Sequence, residues 1–268
     1  MLFSTILQHF KPVLENHCFI SRIEKFNVNG YKLVFADSRI WTGYLNTLIY
    51  VFGTTALGMF LTVMAAYALS RKDFLWASPI MFLISFTMLF SGGIVPLYIL
   101  VTQNLGLFDN RLALILPGCM SAFYLILVRT ALQNVPDSLE ESAMLDGAGR
   151  FTILFQIMLP LIKATMATVI LYYIIGNWNS WFSAMIYLRS KDKYPLQLVL
   201  KEILVTTSNS NTNVDISVLG SGDSADAILY KQLVKYCTIV VSTVPMFIFY
   251  PFVQKYFESG VMIGAIKG

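Results

Sequence analysis

The sequence has very few residues that could carry chemistry inside a buried site. Only two of its 268 residues are histidine, His9 and His17, and both precede the long apolar stretches. A catalytic triad or a histidine-based zinc site within those stretches is therefore excluded. The chain also lacks the G-x-x-x-x-G-K-[ST] phosphate-binding loop. We expect no catalytic residue, no metal and no cofactor in this chain.

Charge is also scarce, because Asp, Glu, Lys and Arg make up 13% of the residues and hydrophobic residues 56%. This composition is too apolar for a soluble domain of this length, so the chain is expected to be a membrane protein surrounded by lipid. The formal net charge of +4 is spread along the chain, which excludes the basic face of a nucleic-acid-binding protein. Three cysteines cannot all pair, and Cys119 and Cys237 are predicted to be free and to pack as small hydrophobes.

Five stretches are long enough to cross a bilayer as helices, which requires about 20 largely apolar residues. Arg71, Lys72 and Asp73 predict a short charged turn that makes the first two spans an antiparallel hairpin. Gly106 and Asp109-Asn110 predict the turn after the second span. The chain is thus predicted to be an all-α, polytopic membrane helix bundle with spans at about 44–69, 76–101, 112–133, 164–188 and 236–257.

The parts outside the spans differ in character. Residues 1–42 are predicted to lie outside the membrane, and 43–268 to form one transmembrane domain. In the loop from about 189 to 235, PLQLVLKEIL predicts an amphipathic helix. The polar tract TTSNSNTNVDISVLGSGDSADA that follows is too polar to pack by itself. Ser91-Gly92-Gly93 and Pro96 interrupt the second span, and they predict either a kink that helps the helix to pack or freed carbonyl groups that line a pathway.

Residues 134–163, between the third and fourth spans, have the pattern of two short helices joined by a turn. Pro136 disfavours helix in the residue before it and suits the first turn of a new helix. Ser138 and Glu141 have the spacing of a capping box, in which a hydroxyl and a carboxylate bind the free amides of a helix start. We therefore predict a first helix at about 138–146.

Asp146-Gly147 predicts the end of this helix, because glycine readily adopts the left-handed conformation of a helix C-terminus. The first helix, with Glu140 and Glu141, is expected in water. The second helix, at about 150–163, is nearly all apolar and belongs against the bundle or in the membrane interface. Two interpretations stay open: a surface helix that merely reverses the chain, or a helix on which another polypeptide docks.

The same segment resembles the EAA loop of permease subunits in binding-protein-dependent ATP-binding-cassette (ABC) importers. The resemblance consists of Glu141-Ser142-Ala143, three further residues, Gly147, nine further residues, and then Ile157-Met158-Leu159-Pro160. Ser142 stands in place of the first alanine of the motif, which is an exchange of one small residue for another. Ala164 stands where many relatives have a second proline.

From about residue 29 to 268 the chain resembles the carbohydrate-uptake branch of that family, the maltose-type permeases with a MetI-like fold. The resemblance is greatest to permeases grouped with polysaccharide or complex-oligosaccharide uptake. It is carried by WTGYLNTLIYV, AAYALSRKDF, FSGGIVPLYILV, LALILPG, GNWNSWFSAMIYLRSKDKYPLQLVLKEIL and GVMIGAIKG.

The resemblance implies a multi-pass subunit of the bacterial cytoplasmic membrane that moves a sugar into the cell. Its implied partners are a second permease in a heterodimer, ABC ATPase subunits and an extracytoplasmic solute-binding protein. Glu141 would face a basic residue of the ATPase, and Gly147 would permit the turn between the two helices. The residues implied to couple the chain to the ATPase are Glu141, Ser142, Ala143, Asp146, Gly147, Ile157, Leu159 and Pro160.

The motif GNWNSW falls within the predicted fourth span. Amides are costly in lipid, so Asn177 and Asn179 should face the bundle interior or a watery cavity. Aromatic rings stack on sugars, which makes Trp178 and Trp181 further candidates for the solute path. The alternatives are hydrogen bonds between helices or tryptophans at the membrane interface.

Members of the resembling family usually have six spans, whereas five are visible in this sequence. We expect the usual first span to be missing and residues 1–26 to be unrelated to the family. Three rival functions remain: a secondary transporter, a membrane-embedded enzyme, and an inactive, truncated membrane scaffold. The first requires ionisable residues inside the spans, where essentially only Arg129 occurs. The second is disfavoured by the lack of histidine and paired acids there.

Overall fold

The computed structural model describes residues 29–90, 92–208, 235–245 and 247–248, and their regular structure is entirely helical. Within these ranges the all-α prediction is confirmed. Three predictions concern residues outside this part of the chain. They are the unrelated segment 1–26, the polar tract from residue 209 onward, and the C-terminal stretch 260–268.

The first described helices are α1 (Asn29–Ala36) and α2 (Ser38–Ser70). Asp37 begins α2 as its N-cap, since its carboxylate accepts a hydrogen bond from the backbone N–H of Arg39 at 2.9 Å. The 33 residues of α2 extend roughly 50 Å at 1.5 Å per residue. Among the described residues, α2 is the one helix that is long and apolar enough to cross a membrane unaided. The first predicted span is therefore confirmed.

Three further candidate spans are pairs of helices that meet at a bend. The first pair is α3 (Ala77–Leu89) and α4 (Ile94–Ile99), which continues as a π-helix over Leu100–Asn104 and lies at 111° to α3. Gly93 begins α4 with φ of +83°, so the predicted kink is confirmed but is a sharp turn. The second pair, bent by 45°, is α5 (Leu112–Gly118) and α6 (Ala122–Gln133).

The third pair follows α7 (Asp137–Leu145). It comprises α8 (Arg150–Thr152), a π-helix over Ile153–Met158 and α9 (Leu159–Leu161), which together lie at 85° to α10 (Lys163–Trp178). The described residues thus contain four spans if each bent pair counts as one.

The predicted fourth span, 164–188, is wrong at its C-terminal end. Helix α10 ends at Trp178, and α11 (Trp181–Tyr187) begins after a break at Asn179 and Ser180. The polar residues of GNWNSW therefore lie at a helix end and not in mid-span. The predicted amphipathic helix is confirmed as α12 (Leu196–Ser208). Residues 236–245 and 247–248 of the predicted fifth span are helical, and the rest of that span lies outside the described residues.

Helix α2 is the common member of all three hydrophobic clusters. The first cluster joins it to α6, α7, the π-helix 153–158 and α10. The second joins α2 through Tyr50 to α5, α11 and α12, and the third joins it through Ile40 and Val51 to α1, Trp178 and the 235–245 helix. Apart from α3, which contributes to none of the three clusters, the main described helices therefore pack directly or indirectly on α2.

Buried polar side chains near the start of α2 fix the segment that follows α11. The Asn46 amide donates to the carbonyl oxygens of Asp192 and Tyr194 at 2.7 and 3.2 Å, and its oxygen accepts a hydrogen bond from Arg111 at 3.1 Å. Thr47 accepts a hydrogen bond from the backbone N–H of Leu196 at 2.9 Å. Because buried polar groups are stable when they are bonded, these contacts define one position for the start of α12.

Candidate functional site

Helix α7 projects between α6 and the π-helix 153–158, and its start differs from the prediction. The helix begins at Asp137, one residue earlier than expected, so Pro136 occupies the N-cap position. No side chain caps this end, and the predicted capping box of Ser138 and Glu141 is therefore wrong. Ser138 lies inside the first turn, where its hydroxyl cannot serve as an N-cap. The acidic residues Asp137 and Glu140 in that turn still favour the positive end of the helix dipole.

The end of α7 matches the prediction. Gly147 has φ of +81° and its N–H donates to the carbonyl oxygen of Met144 at 3.0 Å. The N–H of Ala148 donates to the carbonyl oxygen of Ala143 at 2.9 Å. These two bonds form a Schellman motif, which satisfies the last carbonyl groups of a helix and requires a left-handed residue. Gly147 therefore stops the helix sharply and makes its end rigid.

The second predicted helix, 150–163, is a rod of α8, the π-helix and α9 that rests on the bundle. Ile153, Leu154 and Met158 are at most 1% exposed and belong to the first cluster. Ile157 and Leu159 are half-buried and pack against the same cluster, whereas Pro160 is exposed. The apolar rod therefore seats α7 on the bundle, as the sequence predicts.

One face of α7 is turned away from the bundle. Glu141, Ser142 and Asp146 are exposed, and Leu145 has 89% of its surface free. Ala143 is 7% exposed and packs in the first cluster, so its smallness lets α7 lie close to the bundle. The candidate residues on α7 thus divide into an outward set and one inward contact.

Glu140 contradicts the expectation that the acidic residues of α7 lie in water, because it is only 6% exposed. Its carboxylate forms an ion pair with the guanidinium of Arg71, at the C-terminal end of α2. Burial of one charge is tolerated because the opposite charge is buried with it. The rotation of α7 about its axis, which turns Glu140 inward and Glu141 outward, separates these adjacent glutamates.

Two further ion pairs extend this contact along the turn at 71–73. Lys72 pairs with Asp137, and Arg150 Nη2 lies 3.7 Å from Asp73 Oδ2. The hydrogen bond from Lys72 lowers the pKa of Asp137 below its ordinary value. Both pairs are exposed. Residues 71–73 carry two basic side chains and one acidic side chain, and their partners Asp137, Glu140 and Arg150 carry the opposite charges. This complementary pattern of charge is the sequence signal that could have indicated the contact.

A small polar cleft of about 150 Å³ opens between the 71–73 turn and α7. Glu140, Glu141 and Met144 line its α7 side. On the other side of Arg71 lies a larger, mainly apolar cleft of about 460 Å³ that Tyr67, Phe74 and Phe151 help to line. The outward face of α7 is therefore accessible along its length in the described part of the chain.

The candidate path residues line neither of the two clefts beside Arg71. The amides of Asn177 and Asn179 donate back to the carbonyl oxygens of Tyr173 and Ile175, at 2.8 and 3.0 Å. Trp178 is 3% exposed and packs in the third cluster, so no face of its ring is open in this conformation. Trp181 is 37% exposed, with the Lys201 ammonium 4.0 Å from its ring centroid.

An apolar helical bundle with bent candidate spans and an exposed, sharply terminated helix between two of them defines the class as a multi-pass membrane helix bundle. Comparison with known proteins specifies the class. Residues 58–207 match the family described as binding-protein-dependent transport system inner membrane component, and the chain belongs to this family.

Relatives are similar along most of their length. The chain is 40% identical to the polygalacturonan/rhamnogalacturonan transport system permease protein YtcP of Bacillus subtilis (strain 168), over 91% of this chain and 82% of that protein. It is 30% identical to the arabinooligosaccharides transport system permease protein AraQ of the same organism, over 90% of this chain and 79% of that protein.

A solved structure is also similar. It is the crystal structure of a bacterial ABC transporter involved in the import of the acidic polysaccharide alginate. The matched chain is 35% identical, with a TM-score of 0.76, and the match covers 85% of this chain and 79% of that one. The MetI-like fold expected from the sequence is thereby confirmed.

Proposed function

We propose that this chain is the transmembrane permease subunit of an ABC importer that moves an oligosaccharide into a bacterial cell. The energy comes from ATP hydrolysis on a separate subunit. The names of the relatives support the substrate class, since they refer to polygalacturonan or rhamnogalacturonan and to arabinooligosaccharides. The similar solved transporter imports an acidic polysaccharide, which supports the same class.

The exposed face of α7 is the observation that carries this proposal. Glu141 and Leu145 are free of contacts that would bury them, on a short helix with a rigid end. An acidic and apolar surface of this kind suits a cleft with a basic residue on a partner protein. We assign α7 to the cytoplasmic side as the helix that contacts the ATPase, with Glu141, Ser142, Asp146 and Gly147 as its coupling residues.

The remaining coupling residues act from behind this surface. Ala143, Ile157 and Leu159 pack on the first cluster, and Pro160 belongs to the rod that supports α7. A load on the outward face of α7 is then transmitted to the bundle by close packing, because tightly packed interiors deform little.

The other partners are a second permease, which completes a heterodimer, and an extracytoplasmic solute-binding protein. Helix α3 supports the need for a covering partner or lipid, since none of its side chains is buried within the described residues. Phe82 and Leu89 on this helix are 71% and 82% exposed. We treat residues 43–268 as one transmembrane domain, which agrees with the sharing of α2 among the described clusters.

Asn177, Asn179 and Trp181 are retained as candidate path residues at the end of α10 and the start of α11. Trp178 is not retained, because it is buried in the described conformation. A secondary transporter is disfavoured, since α2, α3, α6 and α10 contain no Asp or Glu that could bind a coupling ion.

Reconstitution tests the proposal directly. The chain is purified with the second permease and the ABC ATPase of its own cell and placed in proteoliposomes with the binding protein. ATP-dependent uptake is then measured with labelled oligogalacturonates, arabino-oligosaccharides and alginate oligosaccharides. We expect uptake of one of these classes with ATP on the α7 side and no dependence on an ion gradient.

Glu141→Ala tests the docking surface in the same assay. We expect at least about a tenfold loss of uptake and of ATPase retention on purification, because an interfacial charge contact is removed. Glu202→Ala on α12 is the matched control and should leave both unchanged. Uptake that follows an ion gradient without ATP, or an unaltered Glu141→Ala variant, would refute the proposal.

A further inference from the structure

Arg71 is held in a single place at the end of α2. It is the C-cap residue of that helix, and its side chain is 12% exposed. Its Nε and Nη2 donate to the hydroxyl of Ser70 at 3.1 and 3.0 Å. The guanidinium carbon lies 4.8 Å from the ring centroid of Tyr67, one turn earlier on the same helix. Two side chains of α2, Ser70 and Tyr67, therefore hold the charge of Arg71 through three contacts.

The fourth contact of Arg71 is the ion pair with Glu140 of α7, whose side chain is 8% exposed. Separation of these two charges, whose side chains are 12% and 8% exposed, leaves each one poorly hydrated and without a partner, which is less favourable than the paired state. The exposed pairs Lys72–Asp137 and Asp73–Arg150 differ, because water replaces a lost partner at the surface. Of the three ion pairs, Arg71–Glu140 alone resists displacement of α7 from α2 through burial.

Helix α2 extends from this contact to the opposite end of the bundle. In its first half, Tyr50 donates its hydroxyl to the carbonyl oxygen of Lys193 at 2.7 Å, and Asn46 donates to that of Asp192. The end of α2 near Arg71 is also bonded to the neighbouring helix α6, because Arg129 Nε donates to the carbonyl oxygen of Leu69 at 2.9 Å. One unbroken helix thus joins the α7 contact to the segment that precedes α12.

We propose that the Arg71–Glu140 pair makes α7 and α2 move as one body, so that displacement of α7 reaches the far end of the bundle along α2. The inference rests on the proposed function, in which the ATPase moves α7. Arg71 and Glu140 are positioning residues: neither touches the solute. The packed rod of α8, the π-helix and α9 holds α7 in place, whereas the ion pair gives α7 its direct link to α2.

A spin label at Leu45→Cys reports on the far end of α2. Leu45 lies on the exposed side of that helix, with 60% of its surface free. The three native cysteines, Cys18, Cys119 and Cys237, are replaced by serine in this reporter chain. The reporter chain is assembled with its partner subunits in proteoliposomes. Its spectrum is recorded without nucleotide and after trapping with ATP and vanadate, and ATP hydrolysis is measured on the same samples.

In the reporter chain with Arg71 and Glu140 intact, we expect nucleotide trapping to change the spectrum. Glu140→Gln and Arg71→Gln should retain the ATPase subunit and hydrolyse ATP, but the spectral change should be about tenfold smaller, because the buried pair no longer links the helices. The double variant Arg71→Glu with Glu140→Arg should recover most of the change. Lys72→Gln, which breaks an exposed pair in the same turn, should behave like the reporter chain.

The outcomes separate the inference from the proposed function. A complex that binds no ATPase and hydrolyses no ATP refutes the proposed function and, with it, the inference. The inference alone is refuted if nucleotide trapping leaves the spin-label spectrum unchanged in an active complex. It is also refuted if both single variants show the full spectral change. If the single variants only lower the yield of folded complex and the remainder responds fully, the pair is merely structural and the inference is wrong.

Discussion

At the residue scale, two glycines that flank Ala148 differ in backbone conformation, although neither would place a Cβ within 4 Å of another described group. Gly147 has φ of +81°, whereas Gly149 has φ of −70° and ψ of 156°, which any residue adopts. An added methyl group would therefore cause no steric clash at either position. The left-handed backbone alone makes Gly147 necessary for the end of α7.

We expect Gly147→Ala to destabilise this turn by about 1–2 kcal/mol, the usual cost of a left-handed L-residue. Gly149→Ala should have little effect, since its backbone is ordinary. Amide hydrogen exchange of α7 in detergent micelles measures the difference, which should be faster exchange in Gly147→Ala only. Equal protection in the two variants would contradict the assigned role of Gly147.

Gly58 is constrained by space and not by backbone angles. A Cβ there would lie 2.7 Å from the carbonyl oxygen of Cys119 and 2.8 Å from the ring of Tyr173. Tyr173 cannot readily move, because its hydroxyl donates to the same carbonyl oxygen at 2.8 Å and lies 3.0 Å from the Thr62 hydroxyl. The absent side chain thus permits the close contact of α2 with α10.

Gly58→Ala should lower the free energy of unfolding by about 1–3 kcal/mol through overpacking. Gly176→Ala is its matched control, a helical glycine with no described atom within 4 Å of the added Cβ. That change should be neutral or stabilise the protein by up to about 1 kcal/mol, because alanine favours helix. Thermal unfolding of both variants in detergent measures the difference, and equal midpoints would show that the bundle repacks.

At the element scale, the turn after the second span fixes the segment that follows α11. Asp109 has φ of +55°, a conformation that aspartate tolerates better than most residues. Its Oδ1 accepts hydrogen bonds from the backbone N–H groups of Arg189 and Ser190, both at 3.0 Å. Lys193 Nζ lies 3.0 Å from its Oδ2. One carboxylate therefore closes the loop between α11 and α12 onto the α4–α5 turn.

The hydrogen bond from the Ser190 hydroxyl, followed by those from the Ser190 and Arg189 amides, holds the pKa of Asp109 well below its ordinary value of 3.8. A lowered folded-state pKa stabilises the fold above the unfolded-state pKa. The contribution is lost as the pH falls through the lower, folded-state value. Stability due to Asp109 should accordingly be complete at neutral pH and decline only below 3.8.

Asp109→Asn should lower the midpoint of thermal unfolding by the same amount at about pH 7 and about pH 5, because the wild-type carboxylate is ionised at both values. The difference between the two proteins should shrink as the pH falls from 3.8 towards the lower, folded-state pKa, because Asp109 then binds a proton more readily in the unfolded protein than in the folded one. A difference that already shrinks between pH 7 and pH 5 would contradict the assigned contacts.

At the scale of the whole molecule, the three clusters share α2 and should unfold together. Leu132 belongs to the first cluster and Leu198 to the second, with exposures of 1% and 3%. Leu132→Ala and Leu198→Ala should each lower the free energy of unfolding by about 2–5 kcal/mol, the usual cost of a cavity in a core.

Both variants should show one transition at a lower midpoint in calorimetry. Leu75→Ala, at a side chain 90% exposed, serves as the control and should leave the midpoint nearly unchanged. Two separate transitions in either core variant would show that the clusters are independent units.

The local chemistry of the chain determined much of this structure. The hydropathy of α2, the charged turn at 71–73, and the stop of α7 at Gly147 depend on neighbours within a few residues. The EAA-loop motif at residues 141–160 is likewise visible in the local sequence. These features were predictable because helix formation and termination are governed by local side chains and backbone angles.

Tertiary structure alone decided which face each helix presents. Glu140 and Glu141 are adjacent and chemically alike, yet packing on α2 buries the first with Arg71 and leaves the second exposed. Trp178 is likewise buried in the third cluster, whereas Trp181 in the same motif is partly exposed. Such outcomes depend on contacts between residues far apart in the chain, as between Asn46 and Asp192. A local pattern does not specify them, because the rotation of one helix against another is set by how their surfaces fit.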